Sequence, residues 1–184
     1  MSLTINAEAG SASANSFIDR DTAQLYFDGR LYSDAWTNAS AEDKDKSLVS
    51  ATNRLNQERW VGMPTEINSQ SLSWPRYGVA NADYDSGRER GTGWESGLTF
   101  DAAWLNSATI PVWLENATCE LALVLLDENR LQDTGLELID QVGVGDLNVT
   151  PSKTRRAGRL PEHCMRFIRP YLVGGGGMVP LVRS

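Results

Sequence analysis

The chain has one histidine, His163, and two cysteines, Cys119 and Cys164, in 184 residues. That scarcity excludes much chemistry. One His and two Cys cannot complete a zinc site without carboxylates at unusual spacing. His163 adjoins Cys164, and neighbours at i, i+1 on a helix do not face each other. A Cys/His nucleophile pair would need Cys119, which sits inside the apolar run CELALVLL (residues 119–126) and reads as a buried structural thiol. That run is the longest of its kind, well short of the ~20 residues of a membrane span. No basic stretch followed by an apolar one opens the chain, so free thiols in a reducing compartment are expected. GVGD (143–146) lacks the third glycine of a dinucleotide fingerprint, and GRERGTG (87–93) lacks the Gly-Lys-Ser/Thr of a phosphate loop. Asp127 and Glu128 are adjacent and read as a solvated helix end. The expectation is a protein that is no enzyme, with no cofactor and no metal.

What is abundant is charge, unevenly placed. Net charge is −7, yet residues 1–150 hold 23 acids and 10 bases, whereas residues 151–184 hold one acid and seven bases. An acidic body stays soluble and repels nucleic acid, and a basic end seeks a negative surface or is merely solvated.

Periodicity predicts a mainly α fold: a small helical bundle with a short strand or hairpin, a long loop insertion and extended N- and C-terminal arms. AEAGSASANS (7–16) reads as a flexible or docking arm, with residues 1–15 set apart from the body. A first helix has Asp19 as N-cap, Ala23, Tyr26, Phe27 and Leu31 near one face, and Gly29 at its end. SAED (40–43) matches a capping box, followed by the stripe Leu48, Ala51, Thr52 and Leu55, with Gly62 and Pro64 closing the element. Residues 61–110 lack periodicity, and FDAAWL (100–105) is a candidate turn of helix within them. The strongest helix opens at Pro111 and runs to about Leu131, apolar on most faces in its second half and therefore central. LELIDQVGVGDLNVTP (136–151) reads as a kinked strand or a hairpin. The body thus spans 16–150, with the insertion at 79–109. A basic arm, 151–184, holds the linker SKTRRAGR, a short helix in LPEHCMRFIRPYL (160–172) and four glycines tethering an apolar tip.

In order, NSFIDRDTAQLYFDGR, SLVSATNRLNQERWVG, QSLSWPRYGV, IPVWLENATCELALVLL and VGDLNV resemble a family of small proteins from tailed-phage structural gene clusters. Members are often labelled DnaT-like single-stranded-DNA-binding proteins, and resemble head–tail adaptor, or head completion, proteins. The similarity covers roughly residues 10–175, and residues 81–108 are longer than the usual connection. It implies a helical bundle with a β element, assembled as a homo-oligomeric ring of twelve under the portal protein in the virion neck, after assembly in the host cytoplasm. Its partners would be the portal, a tail terminator or other neck and tail proteins, and further copies of itself. Genomic DNA would pass through the channel without specific binding, and no membrane is involved. The family has no known chemistry to transfer to individual residues.

The expected interface residues are Trp74 and Arg76 in SQSLSWPRYGV (69–79), the basic set Arg155, Arg156, Arg159, Arg166 and Arg169, and the apolar tip Met178, Val179, Pro180, Leu181 and Val182. In the interface reading Trp74 anchors its loop to the helices and Arg76 points outward to a neighbouring subunit, because Trp and Arg are favoured anchors. In the plainer reading Trp74 plugs the core and Arg76 is solvated. A single-strand DNA binder, which needs a basic groove with stacking aromatics, and another neck or tail completion ring remain open.

Overall fold

The computed structural model describes residues 3–82, 104–127 and 160–174. Among these residues five helices run in chain order: α1 (Arg20–Asp28), α2 (Asp34–Asn38), α3 (Ala41–Asn56), α4 (Val112–Asp127) and α5 (Glu162–Ile168), the last continued by a 3-10 turn (Arg169–Tyr171). Between α3 and α4 lie two short antiparallel strands, β1 (Met63–Pro64) and β2 (Arg76–Tyr77), pairing Met63 with Tyr77 and Pro64 with Arg76. The protein is mostly helical, as its periodicity indicates. None of the described helices is long and apolar enough to cross a membrane.

The helix starts follow from the sequence. Asp19 caps α1 by accepting from the Thr22 amide at 2.8 Å, and Gly29 ends that helix. Ser40 Oγ accepts from the Asp43 amide at 3.1 Å, but the Asp43 carboxylate answers through the Ser40 hydroxyl at 2.7 Å, not through its backbone. Leu48, Ala51, Thr52 and Leu55 of α3 are all buried. That helix ends at Asn56, before Gly62 and Pro64. Pro111 is the residue before α4; its carbonyl accepts from the Leu114 and Glu115 amides. Residues 117–123 of α4 are buried without a break, because α1, α2, α3 and α5 all pack against this helix. A segment enclosed on every side has no polar stripe to keep.

Several expectations change. Leu31 lies beyond α1 and is exposed. The five-residue α2 was not foreseen; it has one buried apolar residue, Trp36, and no side-chain cap, so it leaves no periodic signal. Trp36 stacks on Phe27 at 4.4 Å and donates to Gln24 Oε1 at 3.0 Å. Residues 7–16 dock on their own chain: Asn6 and Asn15 bond reciprocally, Ser71 Oγ donates to the carbonyls of Ser11 and Ala14, and Ala14 and Ser16 are buried. The small polar residues there supply turn hydrogen bonds rather than flexibility. In residues 100–105, Trp104 forms a β-bridge with Ala80, and Leu105 donates to the Val79 carbonyl at 2.9 Å. The strand or hairpin expected at 136–151, the helix end beyond Asp127 and most of the 79–109 insertion lie outside the described residues.

Candidate functional site

The loop containing Trp74 and Arg76 turns inward. Trp74 is almost wholly buried, and its ring meets Trp60 and Trp113 edge-on at 5.7 and 5.2 Å. Trp113 in turn stacks on Tyr171 at 4.1 Å. Edge-to-face and stacked rings satisfy the aromatic quadrupole, so the four rings form a specific joint between the loop, α4 and the C-terminal turn.

The expectation that Arg76 points outward is corrected. Its residue is 9% exposed, and its guanidinium donates to the carbonyls of Val61 (2.7 Å), Gly62 (2.6 Å), Ser73 (3.0 Å) and Trp60 (3.5 Å). Among the described residues no acid is bonded to it, and burial pulls its pKa below the ordinary arginine value. The guanidinium fork reaches several carbonyls at once, which a point-charge ammonium cannot. Arg76 is thus a bolt between residues 60–62 and 73–77. Gln70 braces the same loop by donating to the carbonyls of Leu72 and Pro75 and accepting from the Glu66 amide. The Trp74–Pro75 peptide is cis. Gly62 completes the turn with φ +70°; a Cβ there would lie 2.5 Å from the Tyr77 carbonyl oxygen and 2.6 Å from Val79 Cγ2.

The C-terminal segment is also differently placed. Residues 160–174 dock on their own subunit: the Val61 amide donates to the Tyr171 carbonyl, the Val173 amide to the Arg59 carbonyl, and Leu160, Cys164, Ile168 and Tyr171 are buried. Residues 160–174 of the basic arm are therefore no free appendage, because their helix carries an apolar face that the core covers. Arg166 and Arg169 sit on the exposed side of that turn and helix, and Arg169 pairs with Glu162 at 2.8 Å. Arg155, Arg156 and Arg159, and the tip Met178, Val179, Pro180, Leu181 and Val182, lie outside the described residues.

The structure assembles a second constellation that sequence reasoning missed. Glu120, whose side chain is 8% exposed, receives Arg30 Nε at 2.5 Å and Nη2 at 2.8 Å, together with the Tyr26 hydroxyl at 2.7 Å. His163 Nε2 lies 3.8 Å away. Burial by itself would raise the Glu120 carboxyl, but the hydrogen bonds from Arg30 and Tyr26 outweigh it and hold the pKa below the usual carboxylate value. Burial, reinforced by Glu120, pushes the Tyr26 phenol upward. Arg30, Glu120, His163, Arg166 and Phe167 line an open cleft between the α1–α2 turn and α5. The signal was Glu120 itself, a carboxylate interrupting an apolar run, which must find partners when its helix is buried.

Both thiols are buried, and burial pushes each pKa up to about 12. A thiol so protonated is a poor nucleophile. Among the described residues no group of three His, Cys, Asp or Glu is placed to hold a metal ion.

A family model described as "Putative DnaT-like ssDNA binding protein" matches residues 1–89, a little under half of the chain. The match covers α1, α2, α3, both strands and the Trp-Pro-Arg loop. No curated protein and no solved structure matches the chain.

Proposed function

We propose that this chain is a structural protein of a tailed-phage virion, a head–tail adaptor whose copies form a ring between the portal and the tail or neck. The observation that carries this reading is where the aromatics and the loop arginine go. Trp36, Trp60 and Trp74 are buried, Trp113 packs against Tyr171, and Arg76 bonds to backbone. These residues build one rigid unit and are withdrawn from bases, whereas a single-strand binder requires exposed stacking rings along a basic groove. The acid excess over residues 1–150 suits a conduit wall, along which DNA slides without adhering. No nucleophile, metal cluster or cofactor cradle among the described residues argues for catalysis.

The test is mass spectrometry and labelled imaging of purified virions from a phage that encodes the chain. The expected result is a fixed, multiple copy number at the neck, and co-purification with portal or tail proteins. Absence from intact virions would refute the assignment.

A second reading, single-stranded-DNA binding, is favoured by the description of the family model over residues 1–89. Fluorescence anisotropy with an oligonucleotide at low and moderate salt separates the two. Tight binding with a steep salt slope would favour the DNA-binding reading.

A further inference from the structure

Residues 160–174 dock as a strap. His163 Nε2 lies 3.8 Å from Glu120 in the second half of α4, and Tyr171 stacks on Trp113 in its first turn at 4.1 Å. The segment therefore runs back along α4 and starts near that helix's C-terminal half. It finishes as an added strand: the Val61 amide donates to the Tyr171 carbonyl at 3.0 Å, the Val173 amide to the Arg59 carbonyl at 2.8 Å, and Trp60 bridges Leu172. Leu160, Cys164, Ile168 and Tyr171 are its buried anchors. Each of these contacts joins the strap to residues before 128. The covalent link between the two parts is residues 128–159, about thirty residues, where antiparallel helix neighbours need about two to eight. Fully extended, a link of that length spans at most ~100 Å.

We propose that the strap is exchanged between copies: residues 160–174 of one copy dock on the face formed by Trp60, Trp113 and backbone 59–61 of a second. The occupant is identified by its fit. Each chain carries both strap and face, so the strap of a second copy meets the same rings and the same backbone donors and acceptors. Contact energies are then equal within and between copies, and connection alone decides between them. A turn of two to eight residues would confine the strap to its own body. A link about four times longer lifts that confinement. What favours the inner site is then only the effective concentration of the tethered strap, about millimolar or lower. Copies held side by side in an assembly offer each other the strap at a comparable concentration. Each then completes its Trp cluster with its neighbour's tyrosine. Exchange passed onward from copy to copy is heterologous, the geometry that closes into a ring. For its place in a virion the exchange rests on the ring reading, and the docking itself is tested apart from it.

Cysteine cross-linking of the full chain tests this. Arg59→Cys on the face and Val173→Cys on the strap both change exposed positions and leave the core untouched. Residues directly opposite in such an antiparallel pair stand about 5.5 Å apart at Cα, within disulfide range. Cys119 and Cys164 are buried in the folded chain and do not compete. The two single variants are mixed, refolded together under reductant, then oxidised and resolved without reductant. A disulfide joining the two different variants at these positions requires the strap of one copy on the face of the other. Cross-linked dimer is expected to rise roughly in proportion to loading from micromolar to millimolar, and to exceed that of either variant alone by at least about tenfold. A chain carrying both substitutions should close an internal disulfide when dilute. A mixture that stays monomeric at millimolar loading, while the double variant closes internally, overturns the proposal. A double variant that fails to close at all removes the pairing of residues 59 and 173 and overturns it too. Absence of the chain from virions would remove the ring reading and leave the cross-linking result unchanged.

Discussion

Removing the Arg76 side chain separates a structural bolt from an interface residue. Arg76→Ala deletes three short hydrogen bonds, to the carbonyls of half-buried Val61 and Ser73 and exposed Gly62, where water can replace part of what is lost. A hydrogen bond from a charged donor contributes ~1.5–3 kcal/mol. Against this, the variant no longer desolvates a guanidinium that lacks an acid partner, which offsets part of the loss. The net expectation is a destabilisation of roughly 2–4 kcal/mol. For a chain of this size that is a fall in melting temperature of roughly 5–12 °C. Arg76→Lys should recover only part, because one ammonium cannot span carbonyls on both sides of the loop. Urea unfolding read by tryptophan fluorescence, with Trp60 and Trp74 adjoining the loop, gives the stability directly. Arg166→Ala, at an exposed position with no ion-pair partner among the described residues, is the control and should lie within ~0.5 kcal/mol of native. If Arg76→Ala also lies within that band, the guanidinium is not what joins residues 60–62 to 73–77.

Glu120→Gln should destabilise by roughly 2–4 kcal/mol, because Arg30 keeps its place but loses the charge that holds it. The sign of the acid dependence follows from the lowered Glu120 pKa: its stabilisation is present above the unfolded carboxylate value of 4.5 and is lost as pH falls through the lower folded value. Melting curves from pH 6 downward should therefore show a steeper loss below about 4.5 in the native chain than in the glutamine variant; parallel curves would refute the lock. Gly62→Ala should cost at least ~2 kcal/mol, since the new Cβ meets the Tyr77 carbonyl and Val79 with a left-handed backbone besides; a soluble variant of native stability by chemical denaturation would sink that view of the turn. Leu121→Ala, fully inside the bundle, should cost ~2–5 kcal/mol and Leu125→Ala, only partly covered, distinctly less; the reverse order in urea titrations would misplace the centre of the core.

Local physics made the helices legible. Asp19, Ser40 and Pro111 announce starts because an unpaired amide at a helix end needs a nearby acceptor, or no hydrogen at all, whatever the rest of the chain does. The stripe from Leu48 to Leu55 and the unbroken apolar run of α4 follow from one residue every 3.6 per turn and from enclosure. The interface residues were less legible. Trp74 and Arg76 are good anchors for a partner or for their own core, and composition is the same in both cases. The choice depended on carbonyls of residues 60–62, which approach only after the chain doubles back. The apolar face of α5 was readable as a short helix, but not its destination.

The sequence by itself determined a mostly helical chain with α4 at its centre and an acid-rich body, because capping, periodicity and charge counts are local quantities. Only the tertiary structure decided that Arg76 faces inward, that residues 160–174 close on their own Trp cluster and that Glu120 meets Arg30 and Tyr26 across some ninety residues. Those outcomes turn on which polar groups come within hydrogen-bond distance after burial, a property of the packed chain that no single segment carries.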